Sequence, residues 1–242
     1  MRIVVADDYK AMSRIAADEI EELLLSEPQC VLGLATGSTP LGLYADLVSD
    51  FEKGKISFKD VTTFNLDEYC GLGDDNPQGY RYFMNANLFD KVDVKGASTH
   101  VPQGRAGDLE AECAKYDKMI EDAGGIDLQL LGLGHNGHIG FNEPCDEFPK
   151  GTHVVGLTMS TINANSRLFD SAEEVPRQAI TMGIGTIMAA RRVLVVASGK
   201  DKAAIVRKAF LGPVTPEVPA SILQFHPDAM VVVDEEAASE LV

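Results

Sequence analysis

The chain has 242 residues and is 45% hydrophobic, so it can bury one full core, and we expect a single domain over residues 1–242. Its formal net charge of −16, from 37 acidic and 21 basic side chains, argues against nucleic acid or an anionic membrane as a partner. No apolar run reaches the roughly 18 residues of a membrane helix, and acidic residues appear too early for a signal peptide, so we expect a soluble, cytoplasmic protein.

The hydrophobic pattern predicts strands that alternate with helices along the whole chain. Asp7 or Asp8 is suited to cap the first helix. Thr39 and Pro40 supply a capping hydroxyl and then a proline at the first position of the second helix. The predicted strands lie at 2–6, 30–34, 61–66, 126–133, 153–157, 179–182, 192–197 and 230–233, and the predicted helices at 8–25, 40–53, 80–89, 108–122, 161–169, 202–211 and from 235 onwards.

This alternation predicts an α/β fold, namely an open parallel, Rossmann-like sheet with helices on both faces. In such folds ligands bind beyond the carboxyl ends of the strands. Three polar or glycine-rich stretches, at 33–44, 62–72 and 130–144, include the ends of predicted strands. We therefore expect them to form one shared site.

The densest of these stretches is LLGLGHNGHIGFNEP at 130–144. It reads as a buried strand that runs into a glycine loop, and glycines let the backbone approach a ligand closely. Asn136, His138 and Glu143 place an amide, an imidazole and a carboxylate within this loop. Because these groups serve proton transfer, the stretch predicts a catalytic site.

The ATGSTP stretch predicts an anion site or, equally well on its own pattern, a capped turn without a ligand. Backbone N–H groups at the start of a helix bind anions, and the candidate residues are Thr36, Gly37, Ser38 and Thr39. No lysine follows as in a P-loop, and the glycine spacing is not that of a dinucleotide fingerprint.

Metal and disulfide chemistry are not favoured by the sequence. His135 and His138 are three residues apart on a glycine loop, whereas zinc helices of the H-E-x-x-H type place two histidines four residues apart. The four cysteines are widely spaced without a C-x-x-C pair, which favours reduced thiols.

The stretches GHNGHIGFNEP, GLATGSTPLGLY and TTFNLDEYCGL resemble those of glucosamine-6-phosphate deaminases, also called isomerases, and the resemblance runs over nearly the whole chain. The sister 6-phosphogluconolactonases share a similar glycine–histidine loop but differ after it. The resemblance implies a cofactor-free enzyme of amino-sugar catabolism. Such an enzyme converts glucosamine 6-phosphate and water to fructose 6-phosphate and ammonia, and self-association stays open.

The resemblance also implies roles for single residues. Asp67 aligns with the base that moves a proton between carbons 2 and 1, while the adjacent Glu68 has a structural or solvated role. His138, oriented by Glu143, would open the sugar ring. Many family members carry an aspartate at the position of Asn136, and an amide cannot take up a proton, so a relay through this position is in doubt.

For the phosphate, Arg167 resembles the arginine of the family and Lys202 its lysine, with Lys200 as the alternative. Longer members respond to an effector at a second site between subunits. Asp146, His153 and Val155 fall at its positions here and are poorly suited to bind a phosphate, so we expect a form without this regulation.

Three rival functions are open from sequence alone. A 6-phosphogluconolactonase would have the same fold, but the FNEP and LDEY stretches speak against it. A sugar-sensing regulator would need a DNA-binding module, whereas this acidic chain starts with its first strand. A metal-dependent hydrolase is disfavoured by the histidine spacing.

Overall fold

The computed structural model describes residues 1–157 and 175–241, so the predicted helix at 161–169 lies outside the described residues. Within them, no helix is long and apolar enough to cross a membrane. The strands are β1 (Arg2–Ala6), β2 (Val31–Leu34), β3 (Thr62–Asn65), β4 (Asp67–Tyr69), β5 (Thr99–His100), β6 (Leu128–Gly132), β7 (His153–Gly156), β8 (Gln178–Thr181), β9 (Arg192–Ala197) and β10 (Ala229–Asp234). The α-helices are α1 (Tyr9–Ser26), α2 (Leu41–Glu52), α3 (Tyr80–Asn87), α4 (Leu109–Asp122), α5 (Ile184–Met188) and α6 (Ala203–Leu211).

Seven strands form one sheet in the order β1-β10-β9-β6-β2-β3-β5, and every neighbouring pair is parallel. After β2, the chain adds β3 and β5 on one side of that strand. It then adds β6 on the other side of β2, followed by β9 and β10. The direction of winding therefore switches between β2 and β6, where open α/β sheets bind ligands. The predicted fold class is confirmed.

The central strands of the seven-stranded sheet are buried on both faces. All six residues of β10 and all four of β2 are buried, although successive side chains of a strand point to opposite faces. Such continuous apolar strands are typical of parallel sheets between helices. The main hydrophobic core draws on residues from Ala6 to Ala238.

A second, antiparallel sheet in the order β4-β8-β7 was not predicted. Its first strand is only three residues long and two of them are acidic, so no hydrophobic alternation marks it. It forms because distant strands pair: Asp67 lies opposite Thr181, and His153 flanks Thr181 on the other side. Asp67 therefore begins a strand of this second sheet, two residues beyond the end of β3.

The predicted start of the second helix is wrong by one residue. Pro40 occupies the cap position itself, α2 begins at Leu41, and no side chain of the cap residue bonds to the helix. By contrast, Asp8 caps α1 as predicted and accepts a hydrogen bond of 2.7 Å from the Ala11 N–H.

The predicted terminal helix is also wrong, since residues 235–240 form turns. A four-residue hydrogen bond from Ala238 to Asp234 is followed by three-residue bonds, such as that from Leu241 to Ala238. Three-residue bonds tighten the backbone, and the segment does not continue as an α-helix. Strand β5 and helix α5 were missed because they span two and five residues, too few for a periodic signal.

One buried carboxylate ties α1 to α2. The Asp50 side chain is 2% exposed and lies 2.6 Å from Arg14 and 2.9 Å from Lys55. The hydrogen bond from Lys55 and the charge of Arg14 lower the pKa of Asp50 to about 2, although burial opposes this. The ionised form of Asp50 is therefore favoured by folding.

We expect Asp50→Asn to lower the free energy of unfolding by roughly 1–3 kcal/mol at pH 7. The pKa of Asp50 is lowered on folding, so its contribution is complete above about pH 4 and is lost as the pH falls through about 2. Denaturant unfolding at several pH values measures this. The control is Asp60→Asn, which removes an exposed pair with Lys95, and equal losses for the two variants would contradict the prediction.

Candidate active site

The loop that follows β6 is held by its own backbone and by neighbouring segments. The Gly134 N–H donates to the carbonyl of His138 at 2.9 Å, and the Gly137 N–H donates to the carbonyl of Gly134 at 3.0 Å. Gly137 has a φ of 88°, and a β-carbon there would lie 2.7 Å from a methyl carbon of Val218. The turn therefore requires glycine for both its backbone conformation and its packing.

The imidazole of His138 lies directly against Gly134. A β-carbon on Gly134 would lie 2.3–2.4 Å from three ring atoms, closer than van der Waals contact permits. By contrast, a β-carbon on Gly132 would have no heavy atom within 4 Å. Gly134 is therefore needed for the observed position of the ring, which keeps 27% of the His138 side chain exposed.

Asn136 and Glu143 complete this group. The Asn136 amide nitrogen donates to Glu143 Oε2 at 2.5 Å, and its oxygen accepts from the His138 N–H at 3.2 Å. The same Glu143 oxygen lies 3.4 Å from His138 Nδ1. At this distance the carboxylate attracts a protonated imidazole, although the contact is too long for a strong hydrogen bond.

Asp67 lies on the other side of the same loop. A β-carbon on Gly140, where φ is 58°, would lie 3.5 Å from Asp67 Oδ2 and 2.8 Å from Thr181 Oγ1. Asp67 is 6% exposed, and its carboxylate accepts no hydrogen bond from the described residues. Burial, followed by the nearby charge of Glu68, raises the pKa of Asp67 to about 8. A carboxylate with such a pKa is a stronger base than an ordinary one.

Glu68 has a structural role instead, as expected. Its carboxylate accepts three backbone hydrogen bonds of 2.8–2.9 Å, from Tyr69, Tyr80 and Arg81. Two of these donors open α3, which has no side-chain cap of its own. Burial nevertheless raises the pKa of Glu68. Asp67 and Glu68 thus have different surroundings although they are adjacent, because successive side chains of a strand point to opposite faces.

The loop after β2 presents free backbone donors. Gly37 has a φ of 100°, and within the described residues the N–H groups of Gly37, Ser38 and Thr39 have no hydrogen-bond acceptor. Thr36 is half-buried, whereas Gly37 and Ser38 are exposed. Consecutive unpaired N–H groups before a helix are suited to bind an anion.

Lys202, which follows β9, contacts the loop after β6. Its ammonium donates to the Leu133 carbonyl at 2.8 Å, and burial lowers its pKa. This is its one hydrogen bond among residues 1–157 and 175–241, so two of its three N–H donors are available to a ligand there. Lys200 is exposed, whereas Lys202 is half-buried, and Arg167 lies outside the described residues.

Two contacts of the site were not predicted from sequence. His135 pairs with Asp201 at 2.6 Å, so it joins the loops after β6 and β9. The fully buried Thr181 hydroxyl accepts the Phe141 N–H at 3.0 Å and so connects the loop after β6 to β8, the strand that pairs with Asp67. The only sequence signal for Thr181 was its position as a polar residue directly after a short apolar run.

The structure thus brings Asp67, His138, Glu143 and Lys202 around one glycine loop. The loop after β2 lies beyond the neighbouring strand end, at the switch point of the sheet. A buried carboxylate with a raised pKa and an imidazole next to a carboxylate can move protons, while an ammonium group and unpaired N–H donors can bind a small anionic ligand.

Comparison with known proteins identifies the family. Residues 7–232 match the family model described as glucosamine-6-phosphate isomerases/6-phosphogluconolactonase. A glucosamine-6-phosphate deaminase of Lachnoclostridium phytofermentans is 55% identical over 96% of this chain and 98% of its own length. One of Thermoanaerobacter pseudethanolicus is 52% identical over 99% of this chain and 94% of its own length. The solved structure of a monomeric glucosamine-6-phosphate deaminase is 45% identical over 99% of this chain and 100% of its own, with a TM-score of 0.96. The chain therefore belongs to the glucosamine-6-phosphate isomerase/6-phosphogluconolactonase family.

Proposed function

We propose that this protein is a glucosamine-6-phosphate deaminase, which converts glucosamine 6-phosphate and water to fructose 6-phosphate and ammonia. The observation that carries the proposal is the buried carboxylate of Asp67, whose raised pKa and position beside the catalytic loop suit a base. Relatives more than half identical over nearly the whole chain bear this name, which favours it over a lactonase.

The reaction begins with ring opening. His138 moves a proton from the anomeric hydroxyl to the ring oxygen, since an imidazole exchanges protons near neutral pH. Glu143, 3.4 Å from His138 Nδ1, stabilises the protonated imidazole. Asn136 holds Glu143 by donating to it, so the amide positions the carboxylate without taking up a proton.

Deamination follows on the open-chain sugar. Asp67 removes the proton from carbon 2, and a proton of the substrate's own ammonium group passes to the oxygen on carbon 1, which gives a neutral enolamine with a double bond between carbons 1 and 2. The same proton returns to carbon 1, and the product is an iminium at carbon 2. Water adds to this carbon and ammonia leaves, which yields fructose 6-phosphate. The phosphate is bound by the N–H groups of the 37–39 turn, the hydroxyls of Ser38 and Thr39, and Lys202, with Arg167 as a further proposed ligand.

Ammonia release from glucosamine 6-phosphate by the purified protein tests this function directly. Fructose 6-phosphate should form in equal amount, and 6-phosphogluconolactone hydrolysis serves as the comparison reaction. Lactone hydrolysis without ammonia release would refute the proposal.

Asp67→Asn should lower kcat by about two to four orders of magnitude and abolish solvent hydrogen exchange at carbon 2, because an amide is no base. The variant should also gain thermal stability, and more at pH 9 than at pH 5. The pKa of Asp67 is raised by folding, so the wild type loses stability as the pH rises towards about 8, while the amide does not. Near-normal turnover in a folded variant would exclude Asp67 as the base.

Gly134→Ala should lower kcat by about 10- to 100-fold, because the new methyl group displaces the His138 ring. The matched control is Gly132→Ala, two residues earlier, where the methyl group meets nothing within 4 Å. Both variants are assayed after their melting temperatures have been compared. If both retain the same kcat, the position of the His138 ring does not limit turnover.

Lys202→Ala should weaken binding of the phosphosugar by about 1.5–3 kcal/mol, the range of a charge-assisted hydrogen bond. The matched control is Lys200→Ala, which removes an exposed ammonium from the same turn. KM and the inhibition constant of inorganic phosphate should rise together for Lys202→Ala and stay unchanged for the control. Equal behaviour of the two variants would remove Lys202 from the phosphate site.

A further inference from the structure

Tyr9, the first residue of α1, reaches the loop after β2 with its hydroxyl. The oxygen accepts the Gly42 N–H at 2.8 Å, while the hydroxyl proton is shared between the carbonyls of Thr39 at 3.1 Å and Ser38 at 3.3 Å. One side chain of α1 thus holds three backbone groups that lie 29–33 residues away in sequence. No feature of the sequence pattern assigned Tyr9 a role.

The hydroxyl of Tyr9 replaces a missing helix cap. Gly42 is the second residue of α2, and its N–H is one that a cap residue's side chain normally satisfies. Pro40, at the cap position, has no side-chain acceptor. Gly42 also leaves room for this contact, because a β-carbon there would lie 3.0 Å from the Tyr9 hydroxyl and 2.4 Å from Ser13 Oγ.

The same contact sets the direction of the Thr39 N–H in the turn. The carbonyl and N–H of a trans peptide point in opposite directions. Because the Ser38 carbonyl faces Tyr9, the Thr39 N–H of the same peptide points away from Tyr9. This N–H has no acceptor among the described residues, so it is available to a ligand.

We propose that Tyr9 is a positioning residue that holds the 37–39 turn in its anion-binding conformation. This inference rests on the proposed function, in which the turn binds the phosphate of the substrate. Tyr9 holds the turn by its hydrogen bonds to the carbonyls of Ser38 and Thr39 and to the N–H of Gly42 in α2, on the side away from the Thr39 N–H. Its loss should therefore weaken phosphate binding without changing the proton-transfer steps.

The test compares Tyr9→Phe with Tyr82→Phe, a control that removes the hydroxyl of another exposed tyrosine. For Tyr9→Phe, KM for glucosamine 6-phosphate and the inhibition constant of inorganic phosphate should both rise about three- to tenfold, the effect of one hydrogen bond. Its kcat should stay within about twofold of the wild type. Tyr82→Phe should change none of these constants.

Gly42→Ala is a second, independent variant, since its methyl group would displace the Tyr9 and Ser13 side chains. It should raise the same two constants. The proposal is overturned if Tyr9→Phe leaves KM and the phosphate inhibition constant unchanged, even if its melting temperature falls. It is also overturned if kcat falls while KM stays constant.

Direct binding of inorganic phosphate, measured by calorimetry, separates this proposal from the proposed function. If the wild type releases no ammonia but Tyr9→Phe binds phosphate three- to tenfold more weakly, the proposed function fails and the role of Tyr9 stands. If both proteins bind phosphate equally, or neither binds it, the role of Tyr9 is refuted.

Discussion

The candidate site depends on the parallel pairing of β6 with β2 on one side and β9 on the other. Leu128, Leu130 and Leu131 of β6 are fully buried in the main core, so a shift in register would disrupt their packing. The loop that follows β6 therefore leaves this strand at a fixed position in the sheet. Lys202 contacts it from the β9 side, and the 37–39 turn follows the strand on the β2 side.

The second sheet also contacts this loop. Phe141 packs against Tyr69 of β4, with ring centroids 5.7 Å apart, and Thr181 of β8 accepts its N–H. Asp67 belongs to the same small sheet, so its carboxylate and the loop are both held by that sheet. The ring contact of Phe141 and its hydrogen bond to Thr181 together keep Gly140 beside the Asp67 carboxylate.

Electrostatics oppose ligand binding globally and assist it locally. A protein with a net charge of −16 repels an anionic sugar phosphate at long range, but surface charges are screened within about 10 Å at ordinary ionic strength. Unpaired N–H groups and a half-buried ammonium act at contact distance, where screening is weak. One acidic side chain acts within the site, because the charge of Glu68 adds to burial in raising the pKa of Asp67.

The fold class, the family resemblance and the positions of the three loops could be predicted from the sequence, because strand and helix periods, glycines and short motifs are local signals. The assignment of Asp67, rather than Glu68, as the base comes from the resemblance and stays a prediction. The three-dimensional structure was needed to show that Asp67 lies in a second sheet opposite Thr181, and that His138 packs against Gly134. It also shows that Tyr9, and not Thr39, caps α2. These contacts join residues far apart in the chain or depend on the exact path of a loop, and no local pattern encodes such distances.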